Sequence, residues 1–329
     1  MRVATLQLDS KLGRVKLNTE RATRLVDSIN PGTLGLLVLP ELAFSGYNFP
    51  TLDSITPFLE PTAAGPSTAW AVKTAQHLRC TVIVGYPEIT SDNQRYNSTV
   101  MIGSDGEVLG NGYRKSFLYY TDQTWAAEGS GFKAGLGTVP IATIESQKKS
   151  AANITQGICM DLNPYNFTAP WNAYEFAAHV VESDADAAVM SMAWLTGGPD
   201  LSSYEPGLDP FADDGTPAWS ETEANIPHLD TVNYWIERLT PLISCKRYTI
   251  VVMANRCGKE RSAIYAGTSC VLRVGHGKII IYSIMSRGLE GVQLVDTHAP
   301  PKAELRLRNP DELDEADEAA DETADELPL

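Results

Sequence analysis

The amino-acid sequence predicts an α/β fold in one domain, residues 1–300, followed by an acidic tail, residues 301–329. Short apolar runs alternate with helix-like segments in both halves of the chain, and this alternation of strands and helices is typical of α/β proteins. Several of these runs are almost continuously apolar, as expected of strands that are covered on both faces of a sheet. No shift in composition separates the two halves, so we assign both to the same domain.

The N-terminal half begins with an alternating strand at residues 3–8. Apolar residues at 22, 25, 26 and 29 then have the spacing of an amphipathic helix, which a Pro-Gly pair ends. Residues 34–39 form a buried strand that carries Glu41 at its carboxyl end. The other elements predicted in this half are a helix at 67–78, a strand at 81–85 and a hairpin of strands 97–102 and 107–113.

The C-terminal half repeats this alternation of strands and helices, with a strand predicted at 154–158, a helix at 171–182 and a strand at 187–193. Residues 196–228 contain seven acidic residues, no Lys or Arg and no periodicity, so we expect a long loop that is either functional or mobile. The last predicted elements are a helix at 231–244 that Pro241 kinks and strands at 248–254, 268–274 and 278–284.

Charge and cysteine usage exclude several classes of protein. The net charge is −15, but residues 311–326 alone hold ten acidic residues, which leaves about −5 for the body and no basic stripe for nucleic acid. The tail is too polar to bury an apolar core, so we expect it to be disordered. No apolar run is long enough to cross a membrane, and the chain opens on a strand, so we expect a cytoplasmic protein. Five scattered cysteines without a CxxC pair indicate neither a disulfide framework nor a zinc site.

The segment around Cys159 has the features of a nucleophile's turn. A strand-like run ends at Ile158 and Asn163-Pro164 breaks the chain soon afterwards, so the thiol lies in a tight turn after a strand. Taken alone, this segment favours the commoner role of a buried apolar cysteine. Glu41 and Lys115 favour a catalytic role for Cys159 instead, because they place a carboxylate and an ammonium at the ends of two other predicted strands.

Three motifs resemble the carbon–nitrogen hydrolase (nitrilase) superfamily, whose Glu-Lys-Cys triad occurs in the same chain order. They are Leu39-Pro40-Glu41, Arg114-Lys115 and residues 157–161, Gly-Ile-Cys-Met-Asp. Similar segments at 85–88, 97–99, 254–255 and 267–269 extend the resemblance over roughly residues 1–285. The resemblance implies a four-layer αββα sandwich.

Within this superfamily, residues 114–122 and 159–167 are most similar to the fungal branch that deamidates N-terminal Asn and Gln of proteins. Similarity to that branch implies that this protein is a cysteine-dependent amidohydrolase, which releases ammonia as a thioester forms on Cys159. It implies protein or peptide N-termini as partners and no metal or organic cofactor. The oligomeric state stays open.

The resemblance also implies roles for individual residues. Glu41 would be the general base, and Lys115 with the backbone N–H of Met160 would bind the oxyanion. The charge of Lys115 would lower the pKa of the thiol. Glu128 matches a second glutamate that the superfamily places beside its lysine, and we expect it to hold Lys115 in place.

A protein N-terminus also needs an anion for its α-ammonium and a pocket for its side chain. Asp122 is the first choice for the anion, although an ordinary turn aspartate fits equally well, and Asp161 is the second, unless it braces its own turn. Tyr47 and Trp194 follow strands and would wall the pocket, although aromatic residues are more often core.

Two other functions fit the sequence. One is a nitrilase-type hydrolase of a small amide, nitrile or carbamoyl compound, which requires a closed pocket. The other is a catalytically silent scaffold that uses its acidic tail, against which the intact triad counts.

Overall fold

The structure is a computed structural model that describes residues 1–140, 151–196 and 215–306. Its strands, in chain order, are β1 Arg2–Gln7, β2 Leu36–Val38, β3 Glu60–Pro61, β4 Thr81–Ile89, β5 Arg95–Ile102, β6 Tyr113–Arg114, β7 Leu136–Pro140, β8 Ala151–Ile158, β9 Ala187–Met192, β10 Thr249–Asn255, β11 Lys259–Glu260, β12 Ala263–Ile264, β13 Cys270–Gly275, β14 Lys278–Ile284, β15 Gly291–Asp296 and β16 Ala303–Arg306. Its α-helices are α1 Val15–Val26, α2 Leu52–Ile55, α3 Pro66–Leu78, α4 Glu175–Glu182, α5 Glu221–Ala224, α6 Leu229–Arg238 and α7 Thr240–Ile243.

Within the described residues the strands form two seven-stranded mixed sheets and a two-stranded ribbon of β11 and β12. The first sheet has the order β15-β1-β2-β4-β5-β6, with β3 beside β4, and the second has the order β16-β14-β13-β10-β9-β8-β7. Strands β1, β2 and β4 run parallel in the first sheet, as do β8, β9 and β10 in the second. The carboxyl ends of parallel strands are where α/β proteins collect functional residues.

Consecutive residues of the central strands point to opposite faces, and this alternation builds four layers. In β2, Leu37 packs towards α1 and α3 whereas Val38 packs between the sheets. In β9, Ala188 packs towards α4 and α6 whereas Val189 meets the first sheet. The predicted αββα sandwich is therefore confirmed.

Some predicted elements differ from the structure. The second strand of the hairpin, expected at 107–113, is reduced to an isolated bridge at Val108 and the short β6. Gly110 and Gly112 adopt φ values of 70° and 73°, which an extended strand cannot contain. The helix expected at 231–244 is divided into α6 and α7, because Pro241 lies in the first turn of a new helix.

The predicted loop and tail also contain structure. Helix α5 lies inside the predicted loop, of which residues 197–214 are outside the described residues. Strand β16 pairs with β14, so the folded chain continues beyond the expected boundary at residue 300. The acidic run at 311–326 lies outside the described residues. No described helix is long and apolar enough to span a membrane.

Candidate active site

Cys159 lies directly after β8, as the first residue of a 3-10 turn that ends at Leu162. Its φ of 41° is in the left-handed region, which costs a non-glycine residue about 1–3 kcal/mol and is common at functional sites. The residue is only 8% exposed and lines a cavity. The predicted turn between strand and helix is therefore the position that Cys159 occupies.

Glu41 follows β2 and is completely buried. Its Oε1 accepts hydrogen bonds from Asn97 Nδ2 at 2.7 Å and Lys115 Nζ at 2.6 Å. Its Oε2 accepts from the Ala193 N–H at 2.8 Å. A side chain at position 85 would collide with Pro40 and Glu41, so Gly85 is what lets β4 approach the carboxylate.

Lys115 follows β6 and is also completely buried. Its ammonium donates to Glu41 Oε1 at 2.6 Å and to Asp122 Oδ2 at 2.5 Å. Asn97 donates to both carboxylates, at 2.7 Å to Glu41 and 2.9 Å to Asp122, and so holds them on either side of the lysine. The three residues predicted at separate strand ends therefore meet at one site, with Asp122 and Asn97 behind them.

Burial and charge determine the protonation states of this site. Burial raises the pKa of Glu41, although Lys115 acts in the opposite direction. Burial alone would lower the pKa of Lys115, but the Asp122 and Glu41 carboxylates raise it above its ordinary value. The two carboxylates therefore favour the charged ammonium, and the raised pKa makes Glu41 a stronger base than an exposed carboxylate.

The pKa of the Cys159 thiol is raised well above its ordinary value by burial and by the Glu41 charge. Lys115 does lower it, as predicted from the sequence, but that contribution is smaller than the other two. The expected direction of the Lys115 effect is therefore found, although the pKa of the thiol is raised overall. The resting site holds a thiol and needs a base to remove its proton.

Asp122 does not face the cavity, so the expectation that it binds an α-ammonium is wrong. It is completely buried, and besides Lys115 and Asn97 its oxygens accept from the Tyr119 N–H at 3.0 Å and the Tyr47 hydroxyl at 3.4 Å. These donors occupy the carboxylate. Asp122 instead positions Lys115, because its Oδ2 accepts from the Lys115 ammonium at 2.5 Å.

Asp161 braces the nucleophile's turn, which was the alternative to substrate binding. Its Oδ1 accepts from the N–H groups of Ser116 and Phe117, and its Oδ2 from the Ile158 N–H and the Tyr113 hydroxyl. Burial raises its pKa to about 6 despite these donors. Asp161 thereby joins the Cys159 turn to the segment after Lys115 and is not available to a substrate.

Glu128 is exposed and accepts from the Tyr165 hydroxyl at 3.0 Å. The carboxylates paired with Lys115 are Glu41 and Asp122, so the expectation that Glu128 holds the lysine is wrong. Glu128 lies on the surface because the chain leaves the interior after Trp125.

A cavity of about 330 Å³ lies over the thiol. It contains three residues expected there, Tyr47, Met160 and Trp194, and others that sequence reasoning missed. The lining residues in the described part of the chain are Tyr47, Tyr119, Cys159, Met160, Asn163, Phe167, Ala193, Trp194, Leu195, Thr196, His228, Asp230, Thr231 and Tyr234. Phe167 is 45% exposed, so the cavity opens to the protein surface. No group of three or more His, Cys, Asp or Glu among the residues described is arranged to hold a metal ion.

Comparison with known proteins agrees with this architecture. The carbon–nitrogen hydrolase family model matches residues 2–170. A protein N-terminal amidase of Schizosaccharomyces pombe is 33% identical over 310 residues, which cover 89% of this chain and 98% of that protein. A protein N-terminal amidase of Saccharomyces cerevisiae is 31% identical over 208 residues, 59% of this chain and 45% of that protein. A crystal structure of N-terminal amidase with an Asn-Glu-Ala peptide has a TM-score of 0.76 at 21% identity, over 94% of this chain and 99% of that chain.

The sandwich and its Glu-Lys-Cys site, together with these similarities, define a hydrolase that acts on amide carbon–nitrogen bonds. The chain belongs to the carbon–nitrogen hydrolase family.

Proposed function

We propose that this protein removes the side-chain amide of an N-terminal Asn or Gln of a protein or peptide, releasing ammonia through a thioester on Cys159. The observation that carries the proposal is that Cys159, which lines a small cavity open to the surface, has the buried Glu41–Lys115 ion pair behind it. A relative that this chain matches over nearly its full length is named protein N-terminal amidase. The proposal places this activity in the cytoplasm, where the five free cysteines would remain reduced.

The first half of the reaction forms the thioester. Glu41 takes the thiol proton as the sulfur of Cys159 attacks the amide carbon, which is favoured because the pKa of Glu41 is raised. The Ala193 N–H donates to Glu41 Oε2 at 2.8 Å, and Ala193 lines the same cavity as Cys159, so the base is held beside the nucleophile. Glu41 then passes the proton to the departing nitrogen, and the carbon–nitrogen bond breaks.

The tetrahedral intermediate carries a negative oxygen. The Lys115 ammonium and the backbone N–H of Met160 would stabilise it, and Lys115 is preorganised for this by two carboxylates at 2.6 and 2.5 Å. In the second half, Glu41 takes a proton from water, which attacks the thioester and restores the thiol while the product carboxylate leaves. One carboxylate thus serves both steps.

The open cavity favours a polypeptide over a small amide or nitrile, because the chain after the first residue must leave past exposed residues such as Phe167. Faster turnover of a small amide or nitrile than of any peptide would favour the small-molecule hydrolase. The scaffold alternative predicts no covalent turnover at Cys159, which a thiol-directed reagent and a turnover assay test together.

We expect deamidation of Asn-initiated peptides that have a free α-amino group, and none when the same Asn is acetylated or internal. Acetylation removes the positive charge of the α-amino group. An internal Asn carries polypeptide on both sides, and a cavity of only about 330 Å³ cannot hold both. Mass spectrometry of the three peptides after incubation measures the change from amide to acid. Comparable turnover of free and acetylated peptides would contradict N-terminal specificity.

Asp122→Asn is expected to move both limbs of the pH profile of kcat/KM to lower pH. The Asp122 charge raises the pKa of both Glu41 and Cys159, so its removal lowers both pKa values. The plateau should fall about tenfold or more, because Lys115 loses one of two charged partners. Asp53→Asn, an exposed carboxylate in α2, is the matched control and should leave both limbs in place. If neither limb of the pH profile moves in Asp122→Asn, the Asp122 charge does not affect the pKa of Glu41.

A further inference from the structure

Recognition of an N-terminal residue requires an anion close to the nucleophile. In an N-terminal Asn or Gln, only a few covalent bonds separate the α-ammonium from the side-chain amide carbon that Cys159 attacks. An anion that binds the ammonium must therefore belong to the cavity that contains the thiol. This inference rests on the proposed function.

Asp230 is the carboxylate in this position. Among the described residues that line the cavity, it alone carries a negative charge. Asp122 and Asp161 are completely buried, do not line the cavity and are occupied by their own donors.

Asp230 also lacks a cation of its own. In the described chain it forms no ion pair, and it is an exposed residue of the cavity lining. Burial and the charge of Arg287 lower the pKa of the neighbouring His228, which is therefore neutral near neutral pH. Arg287 donates instead to the carbonyl oxygens of Ile226 and Pro227.

Helix α6 holds Asp230 in a constant relation to the nucleophile. Arg238, buried at the far end of α6, donates to the Leu162 carbonyl oxygen at 2.9 Å, at the end of the Cys159 turn. The Tyr234 hydroxyl, in the middle of the same helix, donates to Asn163 Oδ1. An ammonium on Asp230 is thus placed relative to the thiol by a rigid element rather than by a loop.

We propose that Asp230 binds the α-ammonium of the substrate and thereby selects free N-termini. The rings of Trp194 and Tyr234 line the same cavity and add the aromatic surroundings that favour a cation. The Asp230 carboxylate then binds the α-ammonium of the first substrate residue, while the Cys159 thiol attacks the side-chain amide of the same residue.

Another explanation for Asp230 is that it stabilises α6, because acidic residues are favoured in the first turn of a helix. That role predicts a small change in the thermal unfolding midpoint and no change in substrate discrimination. A substrate series separates the two roles.

The test compares wild type, Asp230→Asn and Glu237→Gln on an Asn-initiated peptide and on the matched peptide whose α-amino group is replaced by hydrogen. Glu237 is exposed on the same helix and outside the cavity lining, so Glu237→Gln controls for the loss of one charge. We expect Asp230→Asn to lower kcat/KM for the free peptide roughly 10- to 100-fold, the range for a hydrogen bond to a charged group. The slow rate on the peptide without the amine and the rate of Cys159 alkylation by iodoacetamide should both stay at the wild-type value.

Two different failures can be recognised. If wild type turns over both peptides equally, the proposed N-terminal specificity fails, whatever Asp230 does. If wild type requires the amine and Asp230→Asn keeps the full preference, the N-terminal specificity stands and the assignment of Asp230 is overturned. An equal loss on both peptides would also overturn it, since it would indicate a structural role.

Discussion

Cys159→Ala is expected to lower kcat on an Asn-initiated peptide by about 10⁴-fold or more, because the covalent intermediate cannot form. Cys159→Ser should be nearly as inactive, since a hydroxyl ionises far less readily than a thiol and Glu41 is a weak base for it. The thermal unfolding midpoint should change little in either variant. The measurement is steady-state ammonia release together with the intact mass of acid-quenched enzyme, which in wild type should include the peptide acyl group.

Cys80→Ala is the matched control for this prediction. Cys80 is buried in the layer between the first sheet and its helices, so its loss should lower stability by a small-cavity cost and leave kcat unchanged. Retained turnover in Cys159→Ala, or an acyl adduct on another cysteine, would show that Cys159 is not the nucleophile.

Lys115→Arg is expected to fail almost as completely as Lys115→Ala, with losses on the order of 10²–10³ in kcat. A compact ammonium fits between Glu41 and Asp122 in a site with no exposed surface, whereas the planar guanidinium needs a different geometry. Lys115→Ala also leaves two buried carboxylates without their cation, which costs about 3–5 kcal/mol of the free energy of unfolding. Peptide kinetics and urea denaturation measure the two effects separately.

The double variant Lys115→Met with Asp122→Asn separates catalysis from stability. It removes one positive and one negative charge, so it should recover part of the lost stability but none of the activity. Lys16→Arg, at a side chain 93% exposed, controls for the exchange of lysine for arginine and should behave as wild type. Rates close to wild type in Lys115→Arg would mean that Lys115 does not contact the oxyanion.

The elements that position the triad could be predicted because their signals are local. An apolar run ended just before Glu41 and a strand-like run ended at Ile158, just before Cys159, and these strands are present as β2 and β8. The interrupted strand before Lys115 was less predictable, because an isolated bridge and the short β6 replace the regular hairpin around Gly110 and Gly112. Local signals therefore locate strand ends better than they define strand lengths.

The roles of the carboxylates could not be predicted from local signals. Asp122, Glu128 and Asp161 are all acidic residues within motif segments, yet one positions Lys115, one lies on the surface and one braces the Cys159 turn. Which of them reaches the lysine depends on the path of the chain after Lys115 and on Asn97 from the neighbouring strand.

The sequence by itself determined the α/β class and the strand ends, because these follow from periodicity. It also pointed to the thiol, carboxylate and ammonium, because continuous motifs around them resemble the carbon–nitrogen hydrolase superfamily. The tertiary structure alone decided that burial keeps Cys159 a thiol and which carboxylates are occupied. It also brought Asp230 into the same cavity as Cys159. Burial, pKa and cavity shape depend on residues that are distant in sequence and meet only when the two sheets and α6 pack together.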